Sequence, residues 1–550
     1  MKFYKLLLGT AFSLITVMVP AQIRQVIPHF THQDTLRGSI TPERAWWDLS
    51  YYHLDISVDP EDSTIQGSNT VRYKVLTRDQ VMQIDLQPPL RLFKAVQDGR
   101  QLKIVQDGNA HFIYLVSEQV PGSFRELQLF YGGRPKIAKN PPWNGGITWK
   151  RDQNGKPFIA SSCQGLGASI WWPCKDHMYD EPDSMLISIT VPGDLIDVSN
   201  GRLRRVDRHK KTKTYHWFVS NPINNYGVNI NIGDYVHFSE VFQGEKGPLD
   251  CDYWVLKDHL AQAKRQFKQV PKMLKAFEYW YGPYPFYEDS YKLVEAPYLG
   301  MEHQSSVTYG NGFKNGYLGH SGSQSDWGMQ FDFIIIHESA HEWFANNITY
   351  RDIADMWIHE SFANYAESLY VEYYFGKKAG AEYVRGTRKH ISNTRPIIGY
   401  YDVNNEGSGD MYSKGGNMLH TLRQIVHDDD KWRAVLRGLN KEFYHKTVTT
   451  AQIENFMSDK LSMNLKPFFD QYLRDFRVPV LEYIIHGNEV SFHWSNCLPR
   501  FTMPVRVKIS GEEKWLKPTT RWSRVFIDPS RPDFIPDPDF YIATMNLAVF

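Results

Sequence analysis

The sequence predicts an α+β protein of several domains: an N-terminal β-sandwich-like domain, a mixed and then largely helical domain, and a small C-terminal β domain. Three observations carry this. From about Tyr51 to Val255, short segments alternate apolar and polar residues or gather β-branched and aromatic ones, with turn clusters between them. Near Leu256 the apolar residues change to helical spacing. From Pro479 strand character returns in LEYIIHG, EVSFHW and MPVRVKI. A chain of 550 residues also exceeds one ordinary core, so about two to four domains are expected.

Taken in order, residues 1–21 read as a secretory signal peptide. Lys2 and Lys5 precede an apolar stretch from Leu6 to Val19, and Val19-Pro20-Ala21 offers small residues for cleavage. The mature chain is expected to start near Gln22 and to reside in the periplasm or outside the cell. The stretch is short for a membrane span, no cysteine follows it to carry a lipid, and no other apolar run approaches membrane length. Residues 22–255 form the first domain, with YYHLDISV, NTVRYKVL, MLISITV, YHWFV and YGVNINIGDYVHF its clearest strands. The basic run from Arg202 to Lys213 lies between two of them and reads as a solvated hairpin. A formal net charge of +1 gives no general attraction for nucleic acid or an anionic membrane. Four cysteines do not make a disulfide scaffold. Cys163 and Cys174 are the one pair that export would allow to bridge, with free buried cysteines the alternative.

Residues 256–477 form the second domain. LKDHLAQAKRQFKQVPKMLKAFEYWYG has helical periodicity, YKLVEAPYLGMEHQSSVTYG is strand-like, and Ala379 to Phe476 is mostly helical around a loop at Tyr400 to Asp410. Residues 478–550 are left for the small β domain. Repeats and low-complexity linkers do not occur.

The chemistry concentrates in FDFIIIHESAHEWFANNITYRDIADMWIHESFANYAESLYVEYYFG, residues 331–376. His337 and His341 stand four apart in a helical pattern, so both imidazoles share one face and can grip one ion. Glu338 points to the neighbouring edge, where it can act on a water in front of the ion but is badly placed to ligate. Glu360, separated from His341 by eighteen residues, lies in a second helical pattern. Two imidazoles and one carboxylate leave a fourth position open, which is the donor set of a catalytic zinc rather than a structural one.

With these motifs in place, the chain resembles the aminopeptidase N family of gluzincin zinc metallopeptidases, which also contains the leukotriene hydrolases. HESAHEWFANNIT parallels the family's H-E-x-x-H-x-W-x-G-N-x-x-T, and WIHESFANY its W-x-N-E-G-F-A-x-Y. LGMEH stands for G-x-M-E-N, MYSKG for Y-x-K-G, and SSCQGLGASIWWPCKD for the segment closing the first domain's share of the cleft. The resemblance implies a thermolysin-like zinc-peptidase domain and one zinc ion on His337, His341 and Glu360. It further implies Glu338 as general base, Tyr412 as a donor to the developing oxyanion, and Glu302 with Gln164 as the anchor for a free α-ammonium. Gly300 and Met301 are the strand edge offered to the substrate. Peptides with a free N-terminus are the implied substrates. Three departures stand out: His303 and His359 replace asparagines, and Ala345 replaces a glycine. Many members also carry a large helical domain beyond the β module, where this chain stops, so a more open cleft is expected. Two alternatives keep the zinc, namely a thermolysin-like endopeptidase and a leukotriene-type epoxide hydrolase. A third is a binding protein that has lost catalysis, against which stand the intact ligands and base.

Overall fold

The computed structural model describes residues 28–549; the expected signal peptide at 1–21 lies outside them. The first domain is built on an eight-stranded sheet in the order Arg202–Arg208, Thr212–Val219, Ser184–Pro192, Trp47–Asp59, Thr64–Val75, Phe124–Gly133, Arg91–Gln97 and Arg100–Gln101. Strand Trp47–Asp59 alternates buried and more exposed residues over its second half, as a half-buried strand must, because successive side chains point to opposite faces. Its buried Leu54, Ile56 and Val58 enter one apolar core with Val71, Tyr73, Leu127 and Leu129 of the neighbouring strands. A four-stranded sheet (Ile196–Val198, Asn231–Gly233, Pro157–Ser162, Gly146–Arg151) and a three-stranded one (Val81–Asp85, Ala110–Tyr114, Lys103–Asp107) add to that core. The basic run forms the antiparallel hairpin Arg202–Arg208/Thr212–Val219, with Lys210 and Lys211 at the turn. All four cysteines are free, and Cys163 and Cys174 are both buried.

A second core gathers the helices. Val270–Tyr281, Phe333–Ala340, Trp357–Phe375, Ser413–Val426 and Asp429–Glu442 pack around Trp343, Trp357, Phe362, Leu369, Leu422 and Trp432. Two of the expected boundaries differ from what the chain does. The hairpin Tyr235–Gly244/Gly247–Leu256, assigned by its β pattern to the first domain, pairs in parallel with Tyr291–Glu295 and completes a five-stranded sheet of the second unit. Leu249, Cys251, Tyr253 and Val255 accordingly pack in the second core. A period of two identifies a strand but not the sheet it joins. Likewise, residues 478–550 make a four-stranded and a three-stranded sheet, yet Leu481, Trp494, Val507 and Phe540 continue the helical core rather than forming their own.

Strand Tyr291–Glu295 ties the two cores together. Tyr291 and Leu293 point into the helical core, while Val294, followed by Ala296, Tyr298 and Met301, packs in the β core. The segment carrying Gly300 to Glu302 therefore runs along the seam between the two, the kind of place where binding sites form. Among the described residues no helix is long and apolar enough to cross a membrane.

Candidate active site

Asp332 starts the first site helix: its side chain accepts from the backbone N–H groups of Ile334 and Ile335. Isoleucines 334–336 bury against the core and turn His337 and His341 toward the cleft. His341 keeps helical angles at the end of this helix, so the four-residue spacing survives and the two rings meet edge-on with centroids 5.0 Å apart. The chain then bends sharply. Ala345, at φ +159° and ψ −50°, holds a conformation that suits glycine, at the position where the resemblance places one. The second site helix, Trp357–Phe375, brings Glu360 to face the first in its opening turn.

Glu360 Oε2 lies 3.4 Å from His341 Nε2 and 3.7 Å from His337 Nε2. Metal–ligand bonds of about 2.0–2.2 Å in a tetrahedron put ligand atoms about 3.3–3.6 Å apart, so the spacing suits zinc. Two further observations support the fit. Glu360 Oε2 is buried and has no hydrogen-bond partner, a costly state that a cation removes. The Nδ1 of His337 donates to Glu367 Oε1 at 2.8 Å, and that of His341 to the Phe344 carbonyl at 3.0 Å, which leaves both Nε2 lone pairs free to ligate. Burial alone would raise the Glu360 carboxyl, but His341 and His337 hold it well below the ordinary range. Glu302, Glu338 and His341 also bring ligand atoms within 4.8 Å of one another. That set is the poorer one, because Glu302 Oε1 already accepts from Gln164 Nε2 at 2.7 Å and from the Tyr226 hydroxyl at 3.1 Å.

Glu338 packs on Gly300. A Cβ at residue 300 would sit 3.0 Å from Glu338 Oε1 and 2.8 Å from Ile334 Cγ2, so glycine is what lets the strand approach the carboxylate. Burial pushes the Glu338 carboxyl up to about 7 against the pull of His337, and the Glu302 charge adds to the rise. A divalent ion on the neighbouring ligands acts in the opposite sense and favours the anion, the form a base needs. Gly300–Met301 pairs with Val307–Tyr309 on one side only and is the edge strand of its sheet. Gln164 Nε2 also donates to Glu360 Oε1 at 2.8 Å, so one amide ties Glu302 to Glu360. Tyr412 begins helix Ser413–Val426 with its ring 6.1 Å from that of His337, and burial raises its phenol well above the ordinary value, which keeps it a donor.

All nine residues singled out in the sequence (Gln164, Gly300, Met301, Glu302, His337, Glu338, His341, Glu360, Tyr412) line one cavity of about 450 Å³. The three departures do not. His303 is fully buried and bonds Thr308 through Nδ1 at 2.7 Å, away from the cavity. Glu367 escaped the sequence reading, although it stands seven positions, two helical turns, after Glu360 on the same face. The Tyr383 hydroxyl donates to its other oxygen at 2.6 Å. Trp143, largely exposed on the turn Asn140–Asn144, and Phe333, stacked 5.1 Å from the His337 ring, also line the cavity.

Residues 265–472 match the family described as "Peptidase family M1 domain". "Probable aminopeptidase 1" of Saccharolobus solfataricus is 22% identical over 420 residues, covering 73% of this chain and 51% of that protein. "Leukotriene A-4 hydrolase" of Xenopus laevis is 23% identical over 447 residues, covering 76% and 68%. A crystal structure of an M1 zinc metallopeptidase mutant from Deinococcus radiodurans, bound to a Tyr-Ser-Ala substrate, shares the fold. Its TM-score is 0.67 at 21% identity, with 78% of this chain and 94% of that one covered. The chain spans about half the length of the first curated relatives it matches.

Glu367 tests the centre independently of any reaction. Glu367→Ala removes the acceptor that orients His337, and zinc affinity is expected to fall by about 10–100-fold in competition with a chelator. Unchanged affinity would reduce Glu367 to a packing role.

Proposed function

We propose, on the premise that this chain carries a peptidase family M1 domain, that it is a zinc-dependent aminopeptidase removing single residues from the free N-terminus of peptides. The observation that carries this reading is the buried carboxylate of Glu302, which lies within 4.8 Å of the Glu338 carboxylate and His341 in the same cavity. Zinc held by His337, His341 and Glu360 supplies Lewis acidity, lowering the pKa of a water and polarising a carbonyl.

The chain's own groups do the rest. Glu302 Oε2, left open by the two bonds to Oε1, pairs with the α-ammonium, and the Gln164 carbonyl oxygen accepts a second N–H. The α-nitrogen and carbonyl carbon of one residue are about 2.5 Å apart. Anchoring the ammonium at Glu302 therefore brings the first peptide bond, and no later one, to the metal ligands. The Gly300–Met301 edge aligns the peptide backbone as an added strand. Glu338 takes a proton from the attacking water and returns it to the departing amine. The Tyr412 hydroxyl donates to the oxygen on which charge develops, at no cost of ionisation.

The experiment is a panel of aminoacyl chromogenic amides and their N-acetyl counterparts, with and without a chelator. Free-amine substrates are expected to be cleaved, acetylated ones spared, and activity lost on chelation. Equal cleavage of acetylated peptides would replace this reading with a thermolysin-like endopeptidase. In the same assay Glu338→Ala should retain zinc and lose turnover; turnover in the zinc-loaded variant would remove Glu338 from the base role. Tyr412→Phe should lower kcat by about 10²–10³-fold, as for one oxyanion donor. A wild-type kcat would remove Tyr412 from the reaction.

We also infer export to the periplasm or beyond. Lys2, Lys5, the apolar run from Leu6 to Val19 and the small residues at 19–21 support it. Sequencing of the mature protein is expected to begin near Gln22; a cytosolic protein retaining residues 1–21 would overturn the inference.

A further inference from the structure

The carboxylate assigned to the substrate amine is itself held from behind. Tyr226 lies in the single turn Asn225–Gly227 of the first domain, and its hydroxyl is 3.1 Å from Glu302 Oε1 and 3.3 Å from His359 Nδ1. His359 precedes Glu360 on the second site helix and accepts the Tyr350 N–H on Nε2 at 2.9 Å. Its ring stacks on Tyr350 with centroids 4.2 Å apart and lies nearly parallel to Tyr226 at 6.5 Å. Both side chains are buried, and neither is among the residues lining the cavity.

The directions of these bonds follow from their end groups. A backbone N–H can only donate, so His359 Nε2 is the acceptor and the proton of the neutral ring is on Nδ1. Nδ1–H then donates to the Tyr226 oxygen. With that oxygen occupied as acceptor, the phenolic hydrogen is directed to Glu302, which as a carboxylate can only accept. The relay thus runs one way, from the Tyr350 backbone through His359 and Tyr226 to Glu302 Oε1. Gln164 donates to the same oxygen. Oε1 is saturated by two donors, and Oε2 keeps its lone pairs for the cavity.

We infer that Tyr226 and His359 are positioning residues that orient Glu302 and select which of its oxygens meets the substrate's ammonium. They touch neither substrate nor metal. Without the relay Oε1 keeps only Gln164, the carboxylate gains freedom to rotate, and the amine loses a fixed partner. The scissile carbonyl and Glu338 are untouched, so the loss falls on recognition of the amine. The inference rests on the aminopeptidase reading above.

The test separates the two. Zinc-loaded wild type, Tyr226→Phe, His359→Leu and His359→Asn are each titrated with L-leucine hydroxamate and with its des-amino counterpart, 4-methylpentanohydroxamic acid. Both chelate zinc, and only the first carries the amine. Wild type is expected to prefer the amino compound. In Tyr226→Phe and His359→Leu the ratio of inhibition constants should fall by about tenfold, as for one charge-assisted hydrogen bond. The constant for the des-amino compound should stay within about twofold in both. His359→Asn, whose amide can take the place of Nδ1–H, should keep the wild-type ratio. Tyr226→Phe removes one oxygen from an otherwise unchanged ring, so it decides the matter should His359→Leu not fold. A wild type that binds neither compound, or both equally, would sink the aminopeptidase reading and this inference with it. A wild type that discriminates, beside a Tyr226→Phe that discriminates equally or weakens both compounds alike, would overturn the inference alone.

Discussion

A buried carboxylate oxygen without a hydrogen bond is among the most expensive things a protein interior can hold, and Glu360 Oε2 is one, facing two imidazole nitrogens whose protons have been drawn to the far side of each ring. A divalent ion resolves that electrostatic demand, and the surroundings are arranged around it. Glu367 and the Phe344 carbonyl set the tautomers, Gln164 holds the other oxygen of Glu360, and Tyr383 holds Glu367 in turn. Both imidazoles, one oxygen of Glu360 and the Glu367 carboxylate are thus each restrained by another group, which suits a site whose ligands must stand in place before the ion arrives.

The same restraint spans the two cores. Gln164 and Tyr226 come from the first domain, Glu302 from the strand at the seam, and His359 and Glu360 from the second site helix. The hydrogen-bonded group around Glu302 is therefore a property of the junction rather than of either unit. A strand whose alternate side chains enter two different cores is a stiff support, because it cannot shift toward one without losing packing in the other. Gly300 adds a local feature, since a Cβ there would press on the side chains of Ile334 and Glu338.

Recognition motifs were legible where the spacing is short and the helix rule applies. His337 to His341 is one turn, and Glu360 follows on the next helix. Glu367 obeys the same rule two turns further on, but a lone glutamate at that spacing has no distinctive chemistry until His337 is seen to need a partner. Tyr226 and Tyr383 carried no signal at all, because their partners lie 76 and 16 residues away in sequence and only the folded chain brings them together. His303 adjoins Glu302 in the sequence but does not share its place in the cavity. Alternation along an extended segment sends neighbouring side chains to opposite faces, and His303 went to the inner one.

Read alone, the sequence determined the identity and order of the elements, the α+β class, and the donor set, because hydrophobic period and residue chemistry are local properties. It left open which sheet each strand joins. Tertiary structure decided that the hairpin ending at Leu256 belongs to the helical unit and that residues 478–550 share its core. It also decided that Gln164 and Tyr226 converge on one oxygen of Glu302. Those outcomes turn on contacts between segments far apart in the chain, whose pairing follows from packing and hydrogen-bond saturation of the whole rather than from any stretch within it.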